Sequence, residues 1–553
     1  MRAAIAALDK GCSVIMLSKS VLGKAHTVMA EGGIAASVAN VDSGDDWKTH
    51  FRDTIVEGCY IGNWRMAEIL AKEAPGAVYE LERFGALFDR TTEGKIMQRA
   101  FGGHTFKRLC HVGDRTGLEI IRTLEDKILH RNAKVFDETV ATSLAKDGDR
   151  VVGAIGFHMR TGRFAAFSAK STVIATGGLG RIYKVTSNSW EGTGDGIALA
   201  FKAGAELSDM EMMQFHPTGM VWPPAVRGLL VTEGVRGEGG ILYNSKNERF
   251  MLKYSPEKKE LDARDIVARS IYYEIQKGNG TEHGGVYLDI AYKGREFIMK
   301  KLPGMYEQFK EFSGVDITKD RMEVAPTTHY FMGGIRADPE SCATTVDGLY
   351  AAGESASGLH GANRLGGNSL ADILIFGRRA GEHASEHAKG IAAHHISRTD
   401  VEREAGRIMR YLDGHPDAKS PYLLTDRLRE AMQRHMGIIR DGEGIRKGLG
   451  IIKGIKSELI GVGVKGIMDF NQGLIECIAL EHMTVLAECM MASALEREES
   501  RGAHARSDFP KKRQEWKVNI ICVNRGGKVS LSHSKVPEPP MELAEIIGEE
   551  RYA

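Results

Sequence analysis

The chain has 553 residues, of which 42% are hydrophobic, enough to bury several cores in roughly two to four domains. Its 74 Lys and Arg residues balance 73 Asp and Glu residues, so charge gives no reason to expect a nucleic-acid partner. No apolar run approaches the roughly 18–20 residues of a membrane-spanning helix. The seven cysteines are scattered without a Cys-x-x-Cys pair, which argues against metal or iron–sulfur ligation by this chain alone.

The first segment predicts the second half of a βαβ unit. Residues 2–10 are expected to form a helix that ends at Gly11, followed by an apolar strand at residues 12–17. A dinucleotide-binding unit begins with a strand and a Gly-x-Gly-x-x-Gly loop just before such a helix. We therefore expect that strand and loop to be missing, although these residues alone fit an ordinary surface helix equally well.

Two later segments have the same form as the first strand. Residues 170–175 form an apolar run that leads into Gly177, and residues 347–352 lead into Gly353 and Glu354. Strands that end in small residues and glycine suit a nucleotide lying across the carboxyl ends of a parallel sheet. Three such runs in one chain favour that arrangement.

The remaining composition changes twice along the chain. Residues 218–337 are mixed and glycine-rich with short strand-like pieces, which indicates an inserted domain. Helical periodicity dominates from about residue 400 to 500 and predicts a helical domain. The tail, residues 534–553 with three prolines, is expected to be extended and peripheral.

Several segments combine glycine, histidine and arginine at spacings that ordinary cores do not need. Taken singly, His216 fits a structural histidine, Arg264 beside Asp265 a surface ion pair, and Arg364 before two glycines a turn. Taken together, they indicate a site for a small dianion, in which arginines and histidines hold two carboxylates. Redox or proton-transfer chemistry is the favoured class. The segments are residues 26–33, 214–219, 232–240, 264–269, 329–334 and 360–370.

These segments resemble, nearly residue for residue, the flavoprotein subunit of succinate dehydrogenase and fumarate reductase. The resemblance covers essentially the whole chain, including residues 499–510, and residues 24–33 and 216–240 look most like the branch in actinobacteria and some anaerobes. It implies an α/β fold with a Rossmann-like FAD-binding domain, an inserted capping domain, a helical domain and a small C-terminal piece. The implied bounds are 1–217 with 338–392, then 218–337, 393–508 and 509–553.

The resemblance also implies roles for individual residues. His26 would be joined covalently to the 8α-methyl group of FAD. Arg264 would transfer the proton, linked to solvent through Glu233 and Arg236, where the second arginine disfavours the charged form of the first. The dicarboxylate would be bound by Phe101, His216, Thr232, His329 and Arg364. FAD would also contact Ser18, Lys19, Thr27, Ala30, Gly32, Gly33, Ala175, Gly177, Asp195, Glu354, Ser369 and Leu370.

The implied function is the interconversion of succinate and fumarate. Electrons would pass to an iron–sulfur protein subunit, then to a quinone through a membrane anchor, with this chain peripheral on the cytoplasmic side of the membrane. Without the family's phosphate loop, the chain is expected to bind FAD weakly. The alternatives are an L-aspartate oxidase-like flavoenzyme, which holds FAD noncovalently, and an inactive assembly subunit. The first strand ends in Ser18 and Lys19, which fits this family and disfavours a plain NAD site.

Overall fold

The structure is a computed structural model, and it describes residues 1–392, 394–412, 417–548 and 550. Within these ranges no helix combines the length and apolarity needed to cross a membrane. The α-helices are α1 (Arg2–Asp9), α2 (Trp47–Glu57), α3 (Trp64–Phe84), α4 (Thr116–His130), α5 (Asp195–Ala203), α6 (Glu233–Gly237), α7 (Met251–Tyr254), α8 (Arg264–Glu274), α9 (Arg295–Lys301), α10 (Pro303–Ser313), α11 (Asn368–Lys389), α12 (Arg398–Met409), α13 (Pro421–His435), α14 (Gly442–Glu458), α15 (Gln472–Glu496) and α16 (Met541–Ile547).

The strands are short apart from a few long antiparallel ones. They are β1 (Ile15–Leu17), β2 (Ile34–Ala35), β3 (Gln98–Arg99), β4 (Leu109–Cys110), β5 (Lys134–Phe136), β6 (Thr139–Asp147), β7 (Arg150–His158), β8 (Phe164–Ser168), β9 (Thr172–Ile174), β10 (Leu207–Ser208), β11 (Met213–Met220), β12 (Ile241–Tyr243), β13 (Val286–Asp289), β14 (Met322–Phe331), β15 (Gly334–Ile335), β16 (Leu349–Ala351), β17 (Ile439–Arg440), β18 (Ala505–Arg506), β19 (Val518–Arg525) and β20 (Lys528–Lys535).

Parallel pairing occurs at the three predicted nucleotide-binding strands. Strand β1 pairs with β5 and strand β9 with β16, both in parallel. The predicted helix at residues 2–10 is α1, while the predicted strand at residues 12–17 is shorter, starting at Ile15. The α/β class is therefore confirmed. Helix α1 packs closely on α11, because a Cβ at Gly381 would lie 2.2 Å from the Ala3 carbonyl oxygen.

Two four-stranded sheets with antiparallel pairing and a helical layer lie beyond the parallel strands. One sheet has the order β11-β14-β13-β12 and another the order β15-β10-β19-β20. Helices α13, α14 and α15 form the helical layer. Helix α15 has buried apolar residues on several faces, as expected for a helix that packs against neighbours on several sides. The division of the chain into four domains at the predicted residue bounds stays a prediction.

The predicted extended tail is wrong for residues 541–547, which form a helix. Strand β20 runs to Lys535, and helix α16 follows the prolines. Leu543 and Ile547 are spaced four residues apart, so they lie on one helix face, and both are buried in the core cluster that contains residues of α2. Residues 549 and 551–553 of the predicted tail lie outside the described residues.

We predict that Gly117→Ala is strongly destabilising. The first turn of α4 lies against the segment after His26: the Gly117 N–H donates to the Ala30 carbonyl oxygen at 2.7 Å. An alanine Cβ would lie 1.9 Å from the Thr27 carbonyl oxygen, so backbone must move. Urea unfolding should show a loss of at least about 2 kcal/mol in the free energy of unfolding.

Gly76→Ala in α3 is the matched control. Its Cβ would meet no atom within 4 Å, so the better helix propensity of alanine should stabilise the protein by about 0.5–1 kcal/mol. Equal unfolding free energies for the two variants would contradict the close contact between α4 and the His26 segment.

Candidate functional site

Two neighbouring antiparallel strands bring two histidines face to face. His216 lies on β11 and His329 on β14, and their ring centroids are 5.1 Å apart. The Nδ1 atom of His216 lies 2.9 Å from the Thr218 carbonyl oxygen, and that of His329 lies 2.8 Å from the Ser187 hydroxyl. Burial and the nearby arginines hold the pKa of each ring well below its usual value. The strand pairing therefore fixes both rings at one place.

Beside the histidines lies a buried chain of charged groups. The Arg264 Nε–H donates to Glu233 Oε2 at 2.7 Å, and Arg236 Nη2 lies 3.6 Å from the same oxygen. The Gly102 N–H donates to the other carboxyl oxygen at 2.8 Å. Burial alone would raise the pKa of Glu233, but the two arginines outweigh it and lower the pKa to about 2. The carboxyl group is therefore ionised at neutral pH.

A further arginine approaches from the start of α11. Arg364 Nη1 donates to the Ser369 hydroxyl at 3.0 Å, and its guanidinium lies 4.2 Å from the centre of the Tyr330 ring. Its Nε is buried without a hydrogen-bond partner. Burial, and then repulsion from Arg264, lower the pKa of Arg364 to about 9. A buried guanidinium with an unused donor is ready to bind an anion.

The cluster carries more positive than negative charge. Arg236, Arg264 and Arg364 are opposed by the ionised Glu233, which forms ion pairs with the first two of them. Two buried positive charges therefore remain in excess, and a ligand with two carboxylates would balance them. This is the charge that the dianion site predicted from sequence requires.

Phe101 and Thr232 border the same cluster. Thr232 caps α6, and its side chain accepts a hydrogen bond from the Gly234 N–H at 3.3 Å. A Cβ at Gly366 would lie 2.9 Å from the Phe101 ring and 3.2 Å from Arg264 Nη2. Residue 366 must therefore be glycine, so that the Phe101 ring and the Arg264 guanidinium can both contact this loop. All eight predicted catalytic and substrate residues therefore lie in or beside one cluster.

The expected FAD contacts fall at the ends of the parallel strands. Lys19, just after β1, is 2.8 Å from Asp195 at the start of α5. His482 Nδ1 lies 3.0 Å from the other oxygen of that carboxyl. The Lys19 ammonium, and after it the hydrogen bond from His482, hold the pKa of Asp195 far below its usual value despite burial. Ser18 lies between β1 and Lys19, and its N–H donates to the carbonyl oxygen of Phe136 at the end of β5.

The segment that contains His26 reaches from these strand ends to the cluster. His26 begins a 3₁₀ turn that continues through Thr27, and its Nδ1 accepts a hydrogen bond from the Ser189 N–H at 3.2 Å. Burial lowers the pKa of His26 to about 4. Because His26 contacts Ser189 and His329 contacts Ser187, the two histidines contact the same short segment. After Ala30, the chain passes the cluster at Gly32, where a Cβ would lie 2.8 Å from the Phe101 ring, and at Gly33, which has φ +134°.

The residues present fit FAD. After β9, Ala175 is exposed and Gly177 has φ +75° with no atom within 4 Å of an added Cβ. Glu354 follows β16 and accepts from the Phe331 N–H at 2.9 Å, and burial raises its pKa to about 7. The Ser189 hydroxyl beside His26 is buried without a partner. Ser369 and Leu370 lie in the first turn of α11, where helix N–H groups favour an electron-rich ligand.

Sequence reasoning missed several residues of the site. Gln214 links the two arginines: its Oε1 accepts from Arg264 at 3.1 Å and its Nε2 donates to the Arg364 carbonyl oxygen at 2.9 Å. Tyr330 lies against the Arg364 guanidinium. Gln214 and Tyr330 lie in segments that the sequence analysis selected for neighbouring residues. That position is the only signal for them in the sequence. His482 lies far along the chain on α15 and had none.

The chain matches two protein families. Residues 1–370 match the family described as FAD binding domain, and residues 425–546 match the family described as fumarate reductase flavoprotein C-term. It is 47% identical over 522 residues to a subunit of the fumarate reductase (CoM/CoB) of Methanothermobacter marburgensis, covering 94% of each chain. It is 38% identical over 532 residues to the succinate dehydrogenase flavoprotein subunit of Coxiella burnetii, covering 92% of this chain and 90% of that protein.

A solved structure is similar over the same length. Mycobacterium smegmatis Sdh1 in complex with UQ1 superposes with a TM-score of 0.89 and 47% identity, covering 98% of this chain and 93% of that chain. A superposition of this extent includes the parallel strands, strands β11 and β14, and the helical layer.

We predict that Glu233→Gln destabilises the protein in a pH-dependent way. The folded pKa of about 2 lies below the usual value of 4.5, so the carboxylate stabilises the fold above about pH 4.5 and loses this effect as pH falls towards 2. Urea unfolding should show a loss of about 3 kcal/mol at pH 7 that shrinks on acidification. The exposed Glu257→Gln should change little, and a pH-independent loss for Glu233→Gln would contradict the buried ion pair.

Proposed function

The chain belongs to the flavoprotein subunit family of succinate dehydrogenase and fumarate reductase, and we propose that it interconverts succinate and fumarate beside FAD. The observation that supports this substrate is a buried arginine cluster beside the two histidine rings: Arg236 and Arg264 pair with Glu233, and Gln214 connects Arg264 to Arg364. Its excess of two positive charges suits a dicarboxylate. When bound, FAD supplies the two-electron acceptor or donor.

The protein's own part in the reaction is first to orient the substrate. Arg364, with its free Nε–H, would bind one carboxylate, while His216, His329 and Thr232 would bind the other. Clamping both ends of a short dicarboxylate leaves its two central carbons in one position, and this converts orientation into rate. Cations at the carboxylate that gathers negative charge stabilise the transition state. Phe101 would close one side of the pocket and exclude water.

The second part is to move one proton. Arg264 would give a proton to the alkene carbon of fumarate, or take it from succinate, at its guanidinium. Glu233 at 2.7 Å can return that proton. The next group on the path is Arg236, whose Nη1–H donates to the Glu260 carbonyl oxygen at 2.6 Å. Since Arg249, which pairs with the Glu260 carboxyl, is partly exposed, the chain of groups leads towards solvent.

Covalent attachment of FAD at His26 is part of the proposal. The Nδ1 atom of His26 accepts the Ser189 N–H, so it is occupied as an acceptor. The Nε2 atom carries the ring proton in that tautomer and is the nitrogen left for a covalent bond; alkylation there would release that proton and leave a neutral ring that keeps its Nδ1 lone pair. The low pKa of His26 keeps the ring from gaining a second proton.

Electron transfer would continue outside this chain. We propose that the direct partner is an iron–sulfur protein subunit, with a quinone and a membrane anchor beyond it and with this chain peripheral on the cytoplasmic side of the membrane. The two 47% identical relatives differ in what their names state: one is named for CoM/CoB, and the other was solved with UQ1. The dicarboxylate chemistry is the part of the proposal that this chain's residues support directly.

We expect His26→Ser to bind FAD noncovalently and to lose succinate oxidation while keeping fumarate reduction. An unattached flavin has a lower potential, and about 30 mV corresponds to about 1.4 kcal/mol for a two-electron couple. Mass spectrometry of the denatured chain should show flavin on the wild type and on the exposed control His130→Ser, but not on His26→Ser. Succinate oxidation by His26→Ser at the wild-type rate would disprove the assignment.

Arg264→Lys and Arg364→Lys should fail in different ways. Lysine keeps the charge of Arg264 but lacks the planar guanidinium with its several N–H donors. In Arg264→Lys, kcat for fumarate reduction should therefore fall by several orders of magnitude, with a smaller change in KM. Arg364→Lys should lose bidentate carboxylate binding and weaken malonate binding at least about tenfold. The measurements are steady-state fumarate reduction with an artificial donor and malonate titration. If Arg364→Lys binds malonate normally, the proposed site is misplaced.

A further inference from the structure

Asn363 is a buried amide beside the site that the proposed mechanism does not use. The residue is 1% exposed. Its Nδ2 group donates to Glu57 Oε1 at 2.8 Å and to Asp265 Oδ1 at 3.0 Å. Its Oδ1 accepts a hydrogen bond from Gln214 Nε2 at 2.8 Å. Both donor hydrogens and the oxygen of this amide are therefore in use.

The charged groups at the two ends of this network fix the direction of both amides. Asp265, which pairs with Arg269 at 2.7 Å, offers only acceptor oxygens, and the Arg264 guanidinium can only donate. Asn363 must therefore turn its NH2 group towards the acid and its oxygen towards Gln214. The Gln214 amide then turns its NH2 group towards Asn363 and its Oε1 towards Arg264 Nη1, which lies at 3.1 Å.

The Arg264 guanidinium is held at two of its three nitrogens. Its Nε–H donates to Glu233 at 2.7 Å, and its Nη1 donates to Gln214. Two such anchors fix the plane of the group. The third nitrogen, Nη2, lies towards Gly366, where an added Cβ would be 3.2 Å from it and 2.9 Å from the Phe101 ring. Because Phe101 borders the proposed pocket, Nη2 is the donor left for the substrate.

Asn363 is also connected to both arginines along the backbone. It directly precedes Arg364, and its partner Asp265 directly follows Arg264. Gln214 adds to this connection, because its Nε2 also donates to the Arg364 carbonyl oxygen at 2.9 Å. One buried amide therefore joins the first turn of α8 to the loop that leads into α11.

We propose that Asn363 is a positioning residue that, through Gln214, holds the Arg264 guanidinium with Nη2 towards the substrate. The proposal rests on the proposed interconversion of succinate and fumarate, to which it adds what orients the proton donor. None of the hydrogen bonds of the Asn363 side chain goes to the Arg364 guanidinium. Loss of the Asn363 amide should therefore slow proton transfer more than it weakens carboxylate binding.

The test compares FAD-loaded Asn363→Ala with the FAD-loaded wild type. In the variant, kcat for fumarate reduction with an artificial donor should fall about tenfold or more, the effect of one hydrogen bond to a charged group. The malonate dissociation constant should change less than about threefold. The solvent isotope effect on kcat, measured in D2O, should rise because the proton step then limits turnover.

Two results of this comparison overturn the proposal. One is an Asn363→Ala variant that reduces fumarate at the wild-type rate. The other is an equal loss of kcat and of malonate affinity, which would mean that the loop with Arg364 has moved as a whole. A wild type that neither reduces fumarate nor binds malonate contradicts the proposed substrate itself.

Asn363→Asp tests whether the oxygen that faces Gln214 is the part of the amide that matters. Aspartate keeps an acceptor oxygen for Gln214 but loses both N–H donors and adds an acid beside two others. It should therefore retain more of the wild-type kcat than Asn363→Ala does. Slower fumarate reduction by Asn363→Asp than by Asn363→Ala overturns the proposal.

A double-variant cycle tests whether Asn363 acts through Gln214. Gln214→Leu removes the amide that contacts Arg264, so adding Asn363→Ala to it should lower kcat little further. If the two losses in kcat multiply in the double variant, Asn363 acts by another route and the proposal is overturned.

Asn244 provides the matched control. It is also buried, and its Nδ2 donates to Glu248 and Glu274 at 2.9 Å each. Glu274 is the last residue of α8, at the opposite end from Arg264. Asn244→Ala should reduce stability in urea as loss of a buried amide does, but leave kcat unchanged. The same fall in kcat as in Asn363→Ala would overturn the proposal.

Discussion

The buried contact between Arg264 and Glu233 is the interaction on which the site depends. Two charges out of water cost several kcal/mol unless their partners are well placed. The Gly102 N–H and Arg236 supply those partners. Arg264, and after it Arg236, hold the pKa of Glu233 low despite burial. Arg264 in turn contacts Gln214, which bonds to the Arg364 backbone. A change at Glu233 therefore reaches three separate elements of the fold.

The scaffold holds this cluster through close backbone contacts. Strands β11 and β14 bring the two histidines together, with His329 at a shift in their pairing. Helices α6, α8 and α11 each present a charged or hydroxyl side chain at or near their first turn. Glycines allow the loops to meet: at Gly32 and Gly366 a side chain would overlap the Phe101 ring. These two glycines have a local cause, since backbone and side chains must approach closely around one small pocket.

Sequence reasoning recovered the class of fold and the segments that meet in the charged cluster, but not the contacts among their residues. The motifs around His216, Arg264 and Arg364 were long enough to indicate a dianion site and a family. Gln214, Tyr330 and Asn363 stood in the same segments without an assigned role, because a role there depends on which atom faces which. The tail was expected to be extended because of its prolines, yet Leu543 and Ile547 form a buried helix face.

The sequence by itself determined the parallel strands, the resemblance to a flavoprotein family and the residue types that suit two carboxylates, because local apolar runs and unusual motifs carry that information. Only the tertiary structure decided that Arg236 and Arg264 share the Glu233 carboxylate and that Lys19 and His482 meet at Asp195. Some of these partners are separated by several hundred residues. Their meeting is set by the packing of strands and helices, and so are the pKa shifts that result from it.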